Sequence, residues 1–242
     1  MTILLAEDDP LTLEAMAACL EDEGFQTITA SNGNEALKLW EKHQPQLMCL
    51  DIMMPGIDGF EVCRRVRAKD PGIPILFLSA KNESADVVVG FGLGADDFIR
   101  KPFTRAEVVA RIRAALRRSQ PIDGRSSLFQ MGDLTIHPNA LIAKRDTDTI
   151  ELSQREVAML ELLHRNQGIP VSRDSFLDTC WGVDYFPDSR TLDQHVLMLR
   201  KKIETDPKHP KIIETVRGTG YRYTAQHREN NEGSMARQMS HD

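Results

Sequence analysis

Apolar residues arrive along the first half of the chain in short bursts, Ile3–Ala6, Phe25–Ala30, Leu47–Leu50, Ile73–Leu78 and Phe98–Ile99, separated by stretches in which they recur every three or four residues. Continuous short runs suit strands covered on both faces, and the 3.6-residue period suits the helices that cover them. Leu13, Met16, Ala17 and Leu20 fall at i, i+3, i+4 and i+7, which predicts an amphipathic helix ending near Gly24. The fifth run leads to Thr104-Arg105-Ala106-Glu107, the sequence form of a capping box, and then to Val109, Ile112 and Leu116 on one helical face. The alternation predicts an α/β domain over residues 1–118, with five strands in a parallel sheet and crossover helices.

Periodicity stops at residues 119–127, SQPIDGRSS, which read as a linker. Beyond it, residues 128–150 are strand-like pieces broken at Gly132-Asp133, Pro138-Asn139 and Asp146-Thr147. Ser153-Gln154-Arg155-Glu156 is a second capping box, opening a helix to about Asn166. Helices are expected over Arg173–Trp181 and Asp188–Glu204, then strands at Ile212–Val216 and Tyr221–Thr224 around Arg217-Gly218-Thr219-Gly220. Three helices finished by a hairpin predict a winged helix over 128–225. Residues 226–242 are polar and expected to be disordered.

With 242 residues, 41% hydrophobic and 27% charged, the chain suits two modest domains and excludes a wholly disordered protein. Net charge is −6, but it is divided: residues 1–120 hold 14 Lys/Arg against 18 Asp/Glu, and residues 190–222 hold 8 against 4. The second segment can meet a polyanion. No signal-peptide pattern opens the chain and no apolar run reaches the ~18 residues of a membrane span, so a soluble, cytoplasmic protein is expected. Cys19, Cys49, Cys63 and Cys180 form no CxxC pair, which argues for reduced, mostly buried thiols and against a zinc site or disulfide framework.

Chemistry gathers at the carboxyl ends of the strand-like runs, where open α/β sheets place their sites. The first run is followed by Glu7, Asp8 and Asp9, the third by Asp51, the fourth by Ser79 and the fifth by Lys101-Pro102. Carboxylates that close together repel unless a cation joins them, and Mg²⁺ suits an all-oxygen set. Asp51 can accept a phosphoryl group as a covalent aspartyl phosphate. Asp8 can hold the metal directly and Glu7 through water, while Lys101 neutralises a phosphoryl oxygen and Ser79 donates to another. A lone Asp at a strand end is more often a solvated loop residue or an N-cap; five such groups on four strands outweigh that reading.

The strings ILLAEDD, MCLDIMMPGIDG, FLSAKN and GADDFIRKPF resemble the four signatures of a two-component receiver domain. ELSQREVAMLELL, VSRDSFLDTCWG, SRTLDQHVLMLRKKIE and ETVRGTGYRY resemble the effector domain of OmpR/PhoB winged-helix response regulators. The resemblance implies a flavodoxin-like receiver with Asp51 as phosphoacceptor, Glu7 and Asp8 as the acidic pair, Met53 as a backbone-carbonyl ligand of Mg²⁺, Ser79 as the switch hydroxyl, Lys101 as the phosphate lysine and Phe98 as the switch aromatic. It implies a sensor histidine kinase and double-stranded promoter DNA as partners, with RNA polymerase as a further one. Homodimerisation through the phosphorylated receiver is expected, and at most slow self-dephosphorylation in place of enzyme turnover. Phe98 stands where the family usually has Tyr, and Val87 and Val89 where it usually has a cation facing the counterpart of Glu107 across a dimer. Asp97 with Arg111, and Asp96 with Arg118, keep the other dimer-face partners. Gly90 and Gly92 inside the helix expected over roughly Ser84–Leu93 predict a soft element.

On the helix Asp188–Glu204, Leu192, Val196, Leu199 and Ile203 share one face and are expected in the core. Arg190, Gln194, Leu197, Met198, Lys201 and Lys202 then point outward, with Thr191, Asp193 and His195 at the sides. Such a stripe suits a major groove, and the adjoining basic hairpin brings Arg217 to a minor groove with Thr219 and Tyr221 near phosphates. For His195 the resemblance suggests only a contact with the DNA backbone or a supporting position. Family members often carry arginine where Leu197 and Met198 stand, so the operator is not transferable. Trp181, Phe186 and Tyr223 read as core aromatics. Two other classes fit parts of the chain: a Mg²⁺-dependent phosphohydrolase, which leaves the basic wing without a purpose, and a DNA binder indifferent to phosphorylation.

Overall fold

Every apolar run of the first half becomes a strand. The computed structural model describes residues 1–80, 84–119, 128–182 and 190–225, with the backbone alone at 80, 84, 85, 87, 88, 117–119 and 190. The first domain runs β1 (Thr2–Ala6), α1 (Pro10–Glu21), β2 (Gln26–Ala30), α2 (Gly33–His43), β3 (Leu47–Asp51), α3 (Gly59–Arg67), β4 (Ile75–Ala80), α4 (Ser84–Gly92), β5 (Asp97–Lys101) and α5 (Arg105–Ser119). Its strands are parallel in the order β2-β1-β3-β4-β5. Alternate residues feed opposite faces. Leu4, Met48, Leu50 and Phe77 pack with Trp40, Val62, Val66 and Phe91, whereas Ile3, Leu5, Cys49 and Leu78 pack with Met16, Leu20, Ile112 and Leu116.

The helices start where side chains accept the orphan amides of a first turn. Asp9 accepts from Thr12 N–H at 3.0 Å, Asn32 from Glu35 at 2.9 Å and Asp58 from Glu61 at 2.7 Å. Thr104 accepts from Glu107 N–H at 3.2 Å, and the Glu107 carboxylate pairs with Arg111 at 3.0 Å.

The second domain opens with an antiparallel sheet of β6 (Phe129–Met131), β7 (Leu134–His137), β8 (Ile142–Arg145) and β9 (Asp148–Glu151), interrupted by a 3₁₀ turn at Pro138–Ala140. The breaks fall at the predicted turn residues, with Gly132 and Asp146 at positive φ. Then follow α6 (Gln154–Arg165), β10 (Val171–Ser172), α7 (Arg173–Cys180), α8 (Arg190–Ile203), β11 (Glu214–Val216) and β12 (Gly220–Arg222), the last two forming a hairpin completed by β10. Both bonds of the Ser153/Glu156 capping box are made. This is a winged helix, its core built on Leu160, Phe176, Trp181, Leu192, Val196, Leu199 and Tyr223. The linker positions 120–127, Phe186 and the tail 226–242 lie outside the described residues. Among the described residues no helix is long and apolar enough to cross a membrane.

Candidate functional site

The strand order places the ends of β1, β3, β4 and β5 side by side, as the grouping of Glu7, Asp51, Ser79 and Lys101 requires. Glu7 is held at the end of β1 by its N–H donating to Ala30 C=O at 3.1 Å. Gly59 opens α3 directly under β3: a Cβ there would stand 2.2 Å from the Asp51 carbonyl oxygen, so any larger residue would push the end of β3 aside. Lys101 Nζ bridges Asp51 Oδ2 at 2.8 Å and Glu7 Oε2 at 2.5 Å. Glu7, Asp8 and Asp51 each bring a carboxylate oxygen within 4.8 Å of the others. Asp8 is exposed, Glu7 and Asp51 are buried, and Ser79 is buried beside them on β4. Met53 N–H donates to Asp51 Oδ1 at 3.3 Å.

The electrostatics follow the burial. Desolvation, helped by the neighbouring Asp51 and opposed by Lys101, pushes the Glu7 carboxyl up to about 7. Burial alone would lower Lys101, but hydrogen bonds to Asp51 and Glu7 outweigh it and hold the ammonium above its usual range. Three oxygen ligands, one reluctant to ionise alone, and a lysine stationed between them are a donor set that fits a hard divalent cation. Asp9, third of the acidic run, is spent as the cap of α1.

Phe98, the switch aromatic implied by the resemblance, has its ring buried, 5.4 Å from Phe77 and 4.9 Å from Phe91 between ring centroids. Gly90 explains the close fit. A Cβ on it would lie 2.4 Å from the Phe98 ring, so this glycine serves packing as well as any softness of α4.

The dimer-face pairs are arranged within one chain. Arg111 binds Asp97 at 3.0 Å and Glu107 at 3.0 Å. Asp96 is buried and paired with Arg67 at 3.0 Å; the side chains of Arg118, its expected partner, and of Val87 lie outside the described residues. Val89 is exposed.

On α8 the predicted core face is correct: Leu192, Val196, Leu199 and Ile203 are buried. Leu197 and Lys201 are exposed, and Thr191 and Gln194 half-buried. Assignments on α8 and in the wing are corrected. Met198 is buried, not outward, because it packs into the apolar cluster of the first domain, and His195 is buried against Phe91. Lys202 is half-buried and paired with Glu156 at 2.8 Å. The Arg190 side chain lies outside the described residues. In the hairpin Arg217 and Thr219 are exposed. Tyr221 is not available to phosphate: its hydroxyl donates to Asp193 at 2.5 Å from a buried ring, and burial pushes its pKa up to about 12. Sequence reasoning passed over Arg155, Asp96 as an acceptor within the chain, and Glu204, whose carboxylate takes the N–H groups of Lys211, Ile212 and Ile213 and ties the end of α8 to the wing.

Residues 3–113 match the response regulator receiver domain, and residues 147–223 match the C-terminal domain of transcriptional regulatory proteins. Among solved structures, a mutant of RitR is 22% identical with a TM-score of 0.72, covering 93% of this chain and 99% of that one. That likeness concerns the fold. DrrB of Thermotoga maritima, an OmpR/PhoB homologue, is 29% identical with a TM-score of 0.50 over 93% of this chain and 99% of that one. With an acidic, lysine-bridged strand edge in a parallel sheet followed by a winged helix, the chain belongs to the two-component response regulators of the OmpR/PhoB type.

Proposed function

We propose that the protein takes a phosphoryl group on Asp51 from a sensor histidine kinase in the cytoplasm and, so modified, binds promoter DNA as a dimer. The observation that carries this is the seat of Lys101 between Asp51 and Glu7, with Asp8 beside them. Glu7, Asp8, Asp51 and the Met53 carbonyl would hold Mg²⁺, which supplies charge neutralisation for the phosphoryl oxygens when bound. An Asp51 oxygen attacks phosphorus in line with the donor nitrogen, the P–N bond breaks, and the imidazole leaves with its electron pair. Lys101 shifts from the carboxylates to a phosphoryl oxygen, and Ser79 donates to another. The aspartyl phosphate serves as a signal, with at most slow self-dephosphorylation.

The DNA contacts are those of α8 and the wing. Gln194 and Leu197 face bases, Lys201 and the side of Thr191 approach phosphates, and Arg217 with Thr219 approach from the hairpin. The dimer uses the α4–β5–α5 face, where Val89 is exposed and apolar; ionic contacts there require Asp97, Arg111 and Glu107 to exchange partners from within the chain to across it. RNA polymerase is the partner through which the bound dimer would act.

Phos-tag electrophoresis with acetyl phosphate tests the first step. Wild type is expected to shift only with Mg²⁺ and Asp51→Asn not at all; equal shifts in both proteins would end the proposal. Selection of duplexes from a random library by the phosphorylated protein tests the second.

A further inference from the structure

Asp193 puts a negative charge on the helix proposed to meet DNA. It lies in the first turn of α8, and its side chain is 48% exposed. An acid there repels phosphates, and its ordinary explanation is that it faces the positive end of its own helix. The contacts of Asp193 go elsewhere. Its Oδ1 accepts two donors from two other elements: the guanidinium of Arg173, the first residue of α7, and the hydroxyl of Tyr221 on β12 at 2.5 Å. Arg173 N–H in turn donates to Thr219 C=O at 3.2 Å, so the start of α7 also holds the turn of the wing.

The Tyr221 ring is the centre of this group. The guanidinium carbons of Arg173 and Arg200 lie 5.9 and 5.6 Å from its centroid, within the range over which a cation is drawn to an aromatic face. Arg200 also donates to Ile213 C=O at 2.9 Å and to Thr215 Oγ1 at 2.8 Å, which fastens α8 to β11. Both strands of the hairpin are thus tied to α8, and β12 is tied through one oxygen of Asp193. Gly220 leaves that strand little room to shift, since a Cβ on it would stand 2.2 Å from the Val171 carbonyl oxygen. A helix and a hairpin that must reach neighbouring grooves of one duplex need a fixed relative angle. A loose hairpin would have to give up its freedom on binding, at the expense of affinity.

We propose that Asp193 is a positioning residue for DNA binding: its Oδ1, shared by Arg173 and Tyr221, holds the start of α7 and the wing against α8 so that helix and hairpin meet a duplex as one surface. The proposal rests on the reading given under Proposed function, in which α8 and Arg217 of the wing touch the duplex. Because both bonds fall on Oδ1, positioning can be separated from repulsion. Asp193→Asn and Asp193→Ala remove the same charge, but asparagine keeps a carbonyl oxygen for the two donors and alanine keeps none.

The probe is a fluorescent duplex enriched from a random library by the full-length wild type treated with acetyl phosphate and Mg²⁺, and anisotropy is measured on proteins treated in the same way. Asp193→Ala is expected to bind on the order of 10-fold more weakly than wild type despite losing a negative charge, and Asp193→Asn to stay within about threefold of wild type. In a double-mutant cycle the losses from Asp193→Ala and Arg217→Ala should fall short of their sum, because a wing no longer held has little of the Arg217 contact left to lose. Asp193→Ala that binds no more weakly than Asp193→Asn overturns the proposal. So do additive losses, which would show that Asp193 does not act through the wing. Should circular dichroism show Asp193→Ala unfolded, Asp193→Ser takes its place, since its hydroxyl stops one bond short of Oδ1. A treated wild type that enriches no duplex, or Arg217→Ala that binds like wild type, defeats the DNA-binding reading and the proposal with it; a duplex sensitive to Arg217→Ala but indifferent to the Asp193 variants defeats the proposal only.

Discussion

Lys101 Nζ stands 2.8 Å from Asp51 Oδ2, so the cation that would steady a phosphoryl oxygen already sits on the carboxylate proposed to accept it. Phosphorylation requires it to move by one hydrogen bond, not to travel. Lys101→Gln is therefore expected to leave Mg²⁺ binding in place, since it removes a cation from among the carboxylates, while slowing phosphoryl uptake from acetyl phosphate by one to two orders of magnitude. Intact-mass time courses beside Mg²⁺ titrations measure the two effects separately; equal uptake rates would show that the lysine has no part in transfer.

Glu7 predicts a pH-dependent stability. Its carboxyl is pushed up to about 7 in the folded protein against 4.5 for an unburdened glutamate, so folding binds a proton between those values. The stability associated with this group is complete below pH 4.5 and is lost as pH rises through 7. Glu7→Gln removes that dependence, and the metal-free variant at pH 8 should exceed wild type by something on the order of 1–3 kcal/mol. Thermal melts from pH 5 to 8 in EDTA test this; parallel curves for the two proteins would contradict it.

Two glycines on one helix should respond in opposite directions. A Cβ at Gly90 meets the Phe98 ring at 2.4 Å, so Gly90→Ala is expected to destabilise by ~1–3 kcal/mol through overpacking. At Gly92 the nearest atom is Met198 Sδ at 3.7 Å, an ordinary contact, and Gly92→Ala should stabilise by up to ~1 kcal/mol through helix propensity. Urea unfolding of both variants decides the matter.

Much of this was legible in the sequence, and the omissions share a cause. Turn residues at Gly132, Pro138 and Asp146 marked the strand breaks because their constraints are local. The carboxylate edge could be read because strand ends carry their chemistry in fixed order along the chain. Met198 could not: its helical period places it on the outer face of α8, and only the docking of a second domain makes that face an inner one. Arg155 was hidden for a related reason, since a charged residue in a helical first turn ordinarily points to water. Tyr221 looked like a phosphate ligand until Asp193, 28 positions earlier, was found to hold its hydroxyl.

The buried phenol gives a spectroscopic check on that last contact. Tyr221 is raised to about 12 by burial and by the Asp193 carboxylate, so tyrosinate absorbance should include one late-ionising component that Tyr221→Phe removes. Because the folded value exceeds the unfolded 10, this group's share of stability is present below pH 10 and lost as pH climbs towards 12. A titration in which every tyrosine ionises near 10 would show the hydroxyl to be free.

Lysines on α8 should differ in what they give to DNA binding. Lys201 is exposed, whereas Lys202 is held by Glu156 at 2.8 Å. Lys201→Ala is expected to weaken all duplexes alike and to reduce the salt slope by about one, and Lys202→Ala to do less. Affinities measured at several salt concentrations on matched and unrelated duplexes separate the two; a sequence-dependent loss at Lys201 would place it against a base.

The first turn of α6 answers to three masters. Ser153 and Glu156 cap each other, the Glu156 carboxylate also holds Lys202 on the DNA helix, and Arg155 between them reaches the receiver. A helix start on the surface of a small domain is normally permissive ground for genetic change. Here, a saturation screen for regulated transcription should find residues 153–156 almost as intolerant as Asp51. Their variants should also fail in different ways, from unstable protein at Ser153 to a weakened contact with the receiver at Arg155.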